Sequence, residues 1–200
     1  GIDLNVSTLL LYCFRDREHI LDIFEMIGGQ RMMTSYIRPG GVWRDVPADF
    51  EPAVAEFLDY LPSKLDDYER LLTKNPIFLA RTVDIGIIEP EKALSMGITG
   101  PSLRGSGVNY DLRRAISYSG YESYDFDVPL EDGCDVYARF RVRMREFRES
   151  LKIIRQALAS LEPGAVMTDD RKFAPPPRSE LGNSMEAVIH HFKYWTDGFS

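Results

Sequence analysis

The chain has 200 residues, of which 44% are hydrophobic and 28% charged, an ordinary balance for a folded domain with a real core. Its formal net charge of −7 argues against non-specific nucleic-acid binding, and the apolar run at residues 9–11 is far short of a membrane span. Cys13 and Cys134 stand apart with no C-x-x-C, which points to two buried reduced thiols and not to a disulfide framework or a metal site. The start Gly1-Ile2-Asp3 has neither an initiator Met nor the zones of a signal peptide, and reads as a processed start or an excised fragment.

Residues 6–27 carry Leu10, Cys13, Ile20, Phe24 and Ile27 at helical spacing and stop at Gly28-Gly29, a good C-terminal signal. Arg15-Asp16-Arg17-Glu18 is most simply the solvated face of that helix. Pro39-Gly40-Gly41 between β-prone residues predicts a short hairpin or tight loop. Asp49 caps a second helix whose face is Val54, Leu58, Leu61, Leu65, Tyr68 and Leu72. Pro62 inside it should kink or divide the helix, because it removes a donor and crowds the preceding turn. Pro90 to Gly97 reads as a compact helix with Pro first and Gly past the end.

Residues 98–133 lack a long period and read as loops, with a short strand near 124–128. The strongest period is at 136–161, where Val136, Phe140, Met144, Phe147, Leu151, Ile154, Leu158 and Leu161 mark one helical face. Arg141, Arg145, Arg148, Lys152 and Arg155 mark another. That basic stripe either docks an acidic partner or anionic lipid, or is a solvated face paired with nearby Asp and Glu, the simpler reading. Residues 169–182, with Pro175-Pro176-Pro177, read as an extended connector. Asn183-Ser184-Met185-Glu186 offers a cap, with Glu three residues on, for a last helix. The whole predicts a mainly α fold: a helical bundle with a loop-rich flank and one or two short β segments, in a single domain over 1–200.

Self-contained chemistry is scarce. GPSLRGSGVNYDLRR (100–114) looks like a phosphate cradle but has no Gly-Lys-Ser/Thr and no βαβ setting. A sharp turn with Arg104, Arg113 and Arg114 in hydrogen bonds or ion pairs is the better reading. His190 and His191 diverge by about 100° on a helix, so they do not easily share a metal. No metal site, nucleophile elbow or cluster motif is present.

Taken in order, FRDREHILDIFE, GGQRM, YIRPGGVWRDVP, RTVDIGII, GPSLRGSGVNYDLRR, YDFDVP, ESLKIIRQAL and SMEAVIHHFKYWTDGF resemble one family. It is the hydrogenase-like, quinone-site subunit of respiratory complex I, NADH–quinone oxidoreductase. The resemblance covers almost the whole chain and places it as the central portion of such a subunit. It implies the fold of the [NiFe]-hydrogenase large subunit without the nickel–iron site. It further implies a chamber where ubiquinone or menaquinone is reduced by electrons from the terminal [4Fe–4S] cluster of a neighbouring subunit, coupled to proton translocation. NAD would bind elsewhere in the complex, and no cofactor would bind this chain. The partners would be the terminal-cluster subunit, the C-type subunit and the membrane quinone-channel subunit, on the cytoplasmic face of the membrane.

The resemblance also assigns residues. Asp3 matches the carboxylate that orients a quinone-headgroup histidine; that histidine, and the tyrosine that is the other headgroup ligand, would lie upstream of Gly1. A carboxylate there raises the proton affinity of the imidazole; a helix cap is the alternative role for Asp3. Arg31, Met33 and Arg38 match a segment near the terminal cluster. Many relatives have histidine at the position of Met33, which makes the cluster potential pH-dependent; methionine does not titrate. The resemblance leaves open a membrane-bound hydrogenase, a ferredoxin-driven complex, or a domain that only docks its neighbours. On the leading reading, a central fragment of the quinone-site subunit, the 200 residues alone should catalyse nothing.

Overall fold

The computed structural model describes residues 7–170 and 173–197, so Asp3 lies outside the described residues. The fold is mainly α. In chain order it comprises α1 (Ser7–Gly28), β1 (Ile37–Arg38), β2 (Gly41–Val42), α2 (Phe50–Leu72) and α3 (Pro76–Ala80). There follow α4 (Pro90–Ser95), α5 (Gly100–Arg104), α6 (Leu112–Ala115), a 3-10 turn (Tyr121–Ser123), α7 (Val136–Ala159) and α8 (Met185–Asp197). Two compact units emerge, one from residues 1–17 and 55–161, the other from 18–54 and 162–200.

The first unit is built on the apolar face of α2. Leu65, Tyr68 and Leu72 bury against Leu9 of α1, Phe78 of α3 and Met144 of α7. Phe78 meets Phe140 edge to face, with ring centroids 5.1 Å apart. Helix α2 is not divided at Pro62. Pro62 lies on the exposed side, so the donor it removes is lost where water is at hand.

Helix α1 corrects the expected face. Leu9 and Asp16 are buried, whereas Cys13 is exposed. Asp16, expected in solvent, is 3% exposed. It accepts a 2.8 Å hydrogen bond from the Tyr60 hydroxyl, another from the Tyr68 hydroxyl, and a 2.7 Å bond from Arg15 Nε. A charged quartet in sequence hides a buried acceptor because its partners are 44 and 52 residues away.

The strand expected near 124–128 is absent. Its backbone is satisfied by a helix instead. Asp125 N–H donates to Gln156 Oε1 at 2.8 Å, and Gln156 Nε2 donates back to the Asp125 carbonyl at 2.8 Å. Asp127 N–H donates to Glu149 at 2.9 Å. Phe126 is buried beneath the guanidiniums of Arg114 and Arg113, 4.1 and 4.8 Å from the ring centre.

The stretch 100–114 forms α5, a sharp turn and α6. Gly105 allows α7 to approach: an added Cβ would lie 2.8 Å from Arg139 Cγ. Arg104 is buried and pairs with Glu146 and Asp111, and it donates to the Tyr110 carbonyl at 3.1 Å. Arg113 grips Asp111 through two nitrogens, at 3.0 and 2.6 Å. The arginines of this stretch are therefore internal fasteners, not a phosphate cradle.

The basic stripe of α7 is matched by acids. Arg141 and Arg145 face Glu131, Arg148 takes Asp66 and Glu69, Lys152 takes Glu149, and Arg155 reaches Asp59. Part of the expected apolar face of α7 is open, with Phe147 and Ile154 exposed.

In the second unit the expected hairpin forms, pairing Ile37 with Val42 and Arg38 with Gly41. Gly41 also bridges to Met167. Its φ is +150°, and an added Cβ would lie 2.2 Å from the Val166 carbonyl oxygen, so only glycine fits. Helix α8 begins where Ser184 Oγ accepts from Ala187 N–H at 3.2 Å.

Candidate functional site

The residues singled out from the sequence, Arg31, Met33 and Arg38, fall on one loop and hairpin of the second unit. The loop starts where α1 ends. Gly29 adopts a φ of +72°, while its N–H still donates to the Glu25 carbonyl at 2.8 Å. The chain then folds back along α1 so closely that an added Cβ on Gly28 would sit 3.0 Å from Thr34.

Two guanidiniums fix this return. Arg31 donates to Asp22 at 2.7 Å and to Glu18, and lies 3.6 Å from Glu25. Those acids are four and three residues apart, hence on one face of α1. The carboxylates raise the proton affinity of Arg31, first through the hydrogen bond it donates to Asp22, so it is a fixed cation. Arg44 donates to the carbonyls of Met26 and Ile27 at 2.8 and 3.3 Å, satisfying acceptors of the last turn of α1.

The loop tip is apolar. Met33 is 91% exposed and holds a φ of +54°, a left-handed conformation uncommon for methionine. Met32, Ile37 and Trp43 of the same unit are exposed as well. Arg38 donates to the Ser35 carbonyl at 2.9 Å, and its guanidinium lies 5.6 Å from the Trp43 ring centre; that of Arg44 lies at 4.7 Å. The unit thus presents methionines and a tryptophan on a scaffold pinned by arginines.

No three His, Cys, Asp or Glu side chains gather as a metal site among the described residues. Nor is any helix among them long and apolar enough to cross a membrane. His190 lies 3.8 Å from Glu186 one turn earlier on α8.

Residues 3–200 match the family described as respiratory-chain NADH dehydrogenase, 49 kDa subunit. The chain belongs to this family. It is similar to a D-type subunit of the NADH-quinone oxidoreductase of Chloroflexus aurantiacus, 53% identical over 202 residues, covering 100% of this chain and 49% of the relative. The D-type subunit of Geotalea uraniireducens is 52% identical over 200 residues, covering 100% and 51%. NADH-quinone oxidoreductase subunit 4 of Thermus thermophilus is 53% identical over 198 residues, covering 99% and 48%. The chain spans about half the length of these relatives.

Membership in the 49 kDa family makes the chain part of a complex I subunit with a hydrogenase-like fold.

Proposed function

We propose that this chain forms part of the quinone-reducing subunit of NADH–quinone oxidoreductase. It helps to wall the chamber where quinone takes two electrons and two protons. Its 29–36 loop faces the terminal [4Fe–4S] cluster of a partner subunit. The observation that carries the reading is Met33: an almost fully exposed apolar side chain, held at the tip of a pinned loop, in a unit that also exposes Met32, Ile37 and Trp43. Such surface is a signature of burial against a partner. The names of the relatives, all NADH-quinone oxidoreductase subunits, favour quinone over hydrogen or ferredoxin chemistry.

On this reading the partners are the terminal-cluster subunit, the C-type subunit and the membrane quinone-channel subunit. The assembly lies on the cytoplasmic face of the membrane and couples electron transfer to proton translocation, with NAD bound elsewhere. The 200 residues form one part of that subunit and alone reduce no quinone. Asp3 orients and charges the headgroup histidine, which gives its proton to the reduced quinone. Met33 supplies neither charge nor proton, so the adjoining cluster has a low potential that responds little to pH.

Asp3→Asn in the intact complex tests the chamber. It should leave assembly normal and lower quinone-reductase turnover by about a hundredfold, the low end for loss of acid–base assistance. Unchanged turnover would leave a docking scaffold as the better account.

A further inference from the structure

We infer that Arg31 is a positioning residue, which seats the Met33 loop by gripping α1, and that it does not act as a cation on the redox centre. The inference rests on the proposal that this loop faces the terminal cluster.

Arg31 stands two residues before Met33, and its planar fork is engaged by Asp22 and Glu18, with Glu25 beside it. A guanidinium spends its directionality on such an arrangement, whereas an ammonium is a single point of charge. The three carboxylates in reach outweigh its single positive charge, so the group does not present a cation beyond its immediate contacts. What remains is geometry. The grip lies between the end of α1 and a residue whose φ of +54° needs a fixed frame. Gly29 provides the turn, Arg44 closes the helix end, and Arg31 ties the loop's own first residues back to the helix side. The other charged groups along this stretch are otherwise engaged: Arg38 at Ser35 and Trp43, Asp45 at the Val46 N–H.

Charge and positioning separate in a double variant. R31Q removes the grip and one positive charge. R31Q/D22N removes the grip but keeps the net charge. D22N keeps a grip through Glu18. Two readouts in the intact complex are amide hydrogen exchange over residues 29–36 and the midpoint potential of the terminal cluster.

The expected result is several-fold faster exchange and a shifted potential in R31Q, both persisting in R31Q/D22N, with D22N close to native. Return of the double variant to the native potential would overturn the inference in favour of direct electrostatics. Native exchange in R31Q, or faster exchange without any shift in potential, would overturn it as well. Should R31Q fail to assemble, R31K and E18Q/D22N loosen the same grip from its two sides and carry the same expectation. M33H serves as control: if it changes neither the potential nor its pH slope, the location of the loop is wrong, whereas a response in M33H with none in R31Q refutes the positioning role alone.

Discussion

Tyr60 donates a 2.8 Å hydrogen bond to one oxygen of Asp16, and Tyr68 donates to the other. One buried carboxylate on α1 thereby holds two tyrosines of α2. Burial alone would push the Asp16 carboxyl up; the bonds from Arg15, Tyr68 and Tyr60 outweigh it and hold the group below the usual carboxylate range. Burial and the same carboxylate push the Tyr68 phenol far up, so it remains a donor at all working pH.

Asp16→Ala leaves two phenols without their acceptor and should cost about 3 kcal/mol, the penalty for orphaned buried groups. Tyr68→Phe should cost more than Tyr60→Phe, since Tyr68 is buried and packs in the core. Urea midpoints of the purified chain check the order. Equal, near-zero effects would mean that the cluster is not a fastener.

Acid should weaken the first unit in a defined window. Asp16, Asp111 and Glu149 all have depressed folded pKa values. For Asp111 the chief cause is the hydrogen bond from Arg113. For Glu149, burial opposes the depression, and bonds from Lys152 and the Asp127 N–H overcome it. A depressed folded value stabilises the native state above the unfolded pKa, and that stability is lost as pH falls through the folded values. Stability should therefore be level above about pH 5 and fall steadily below about pH 4. Thermal melts from about pH 3 to about pH 7 follow it; Asp16→Asn should flatten the acid limb.

Arg104→Met should destabilise by about 3 kcal/mol, because it strands the half-buried Glu146, while Asp111 keeps its bonds from Arg113. Arg104→Lys should recover only part, since one ammonium does not serve both acids and the Tyr110 carbonyl. Denaturant titration of the three proteins measures this directly.

Gly41→Ala should disrupt the second unit, as its Cβ would fall on the Val166 backbone and its φ is hostile to side chains. Loss of amide protection at Val42, which donates to the Val166 carbonyl at 2.8 Å, is the expected signature. Retained protection there would show that residues 162–168 yield without cost.

The sequence was informative where information is local. The hairpin follows from Pro39-Gly40-Gly41, the end of α1 from Gly28-Gly29, and α7 from a period sustained along its whole length. Pairing of the α7 stripe was legible too, because a chain of net acidic charge has carboxylates to spare. Asp16 was not legible, since its burial depends on tyrosines in another helix. The absent strand at 124–128 failed for a related reason: side chains of Gln156 and Glu149 replaced the partner strand. At the candidate site, Met33 was singled out by family resemblance alone, and its exposed place on a loop was not read from the sequence. The triple grip on Arg31 had one local trace, the acidic spacing Glu18, Asp22 and Glu25, which reads equally as a solvated face.

The central claim is that Met33 stands against the terminal cluster and takes no part in proton exchange. A redox titration of that cluster in the intact complex, repeated from about pH 6 to about pH 8 for the native protein and M33H, tests it most directly. The account predicts a nearly flat dependence for the native protein and a steeper, higher potential for M33H, because an imidazole gains charge in this range. A full pH slope in the native protein, or identical curves for the two, would contradict it.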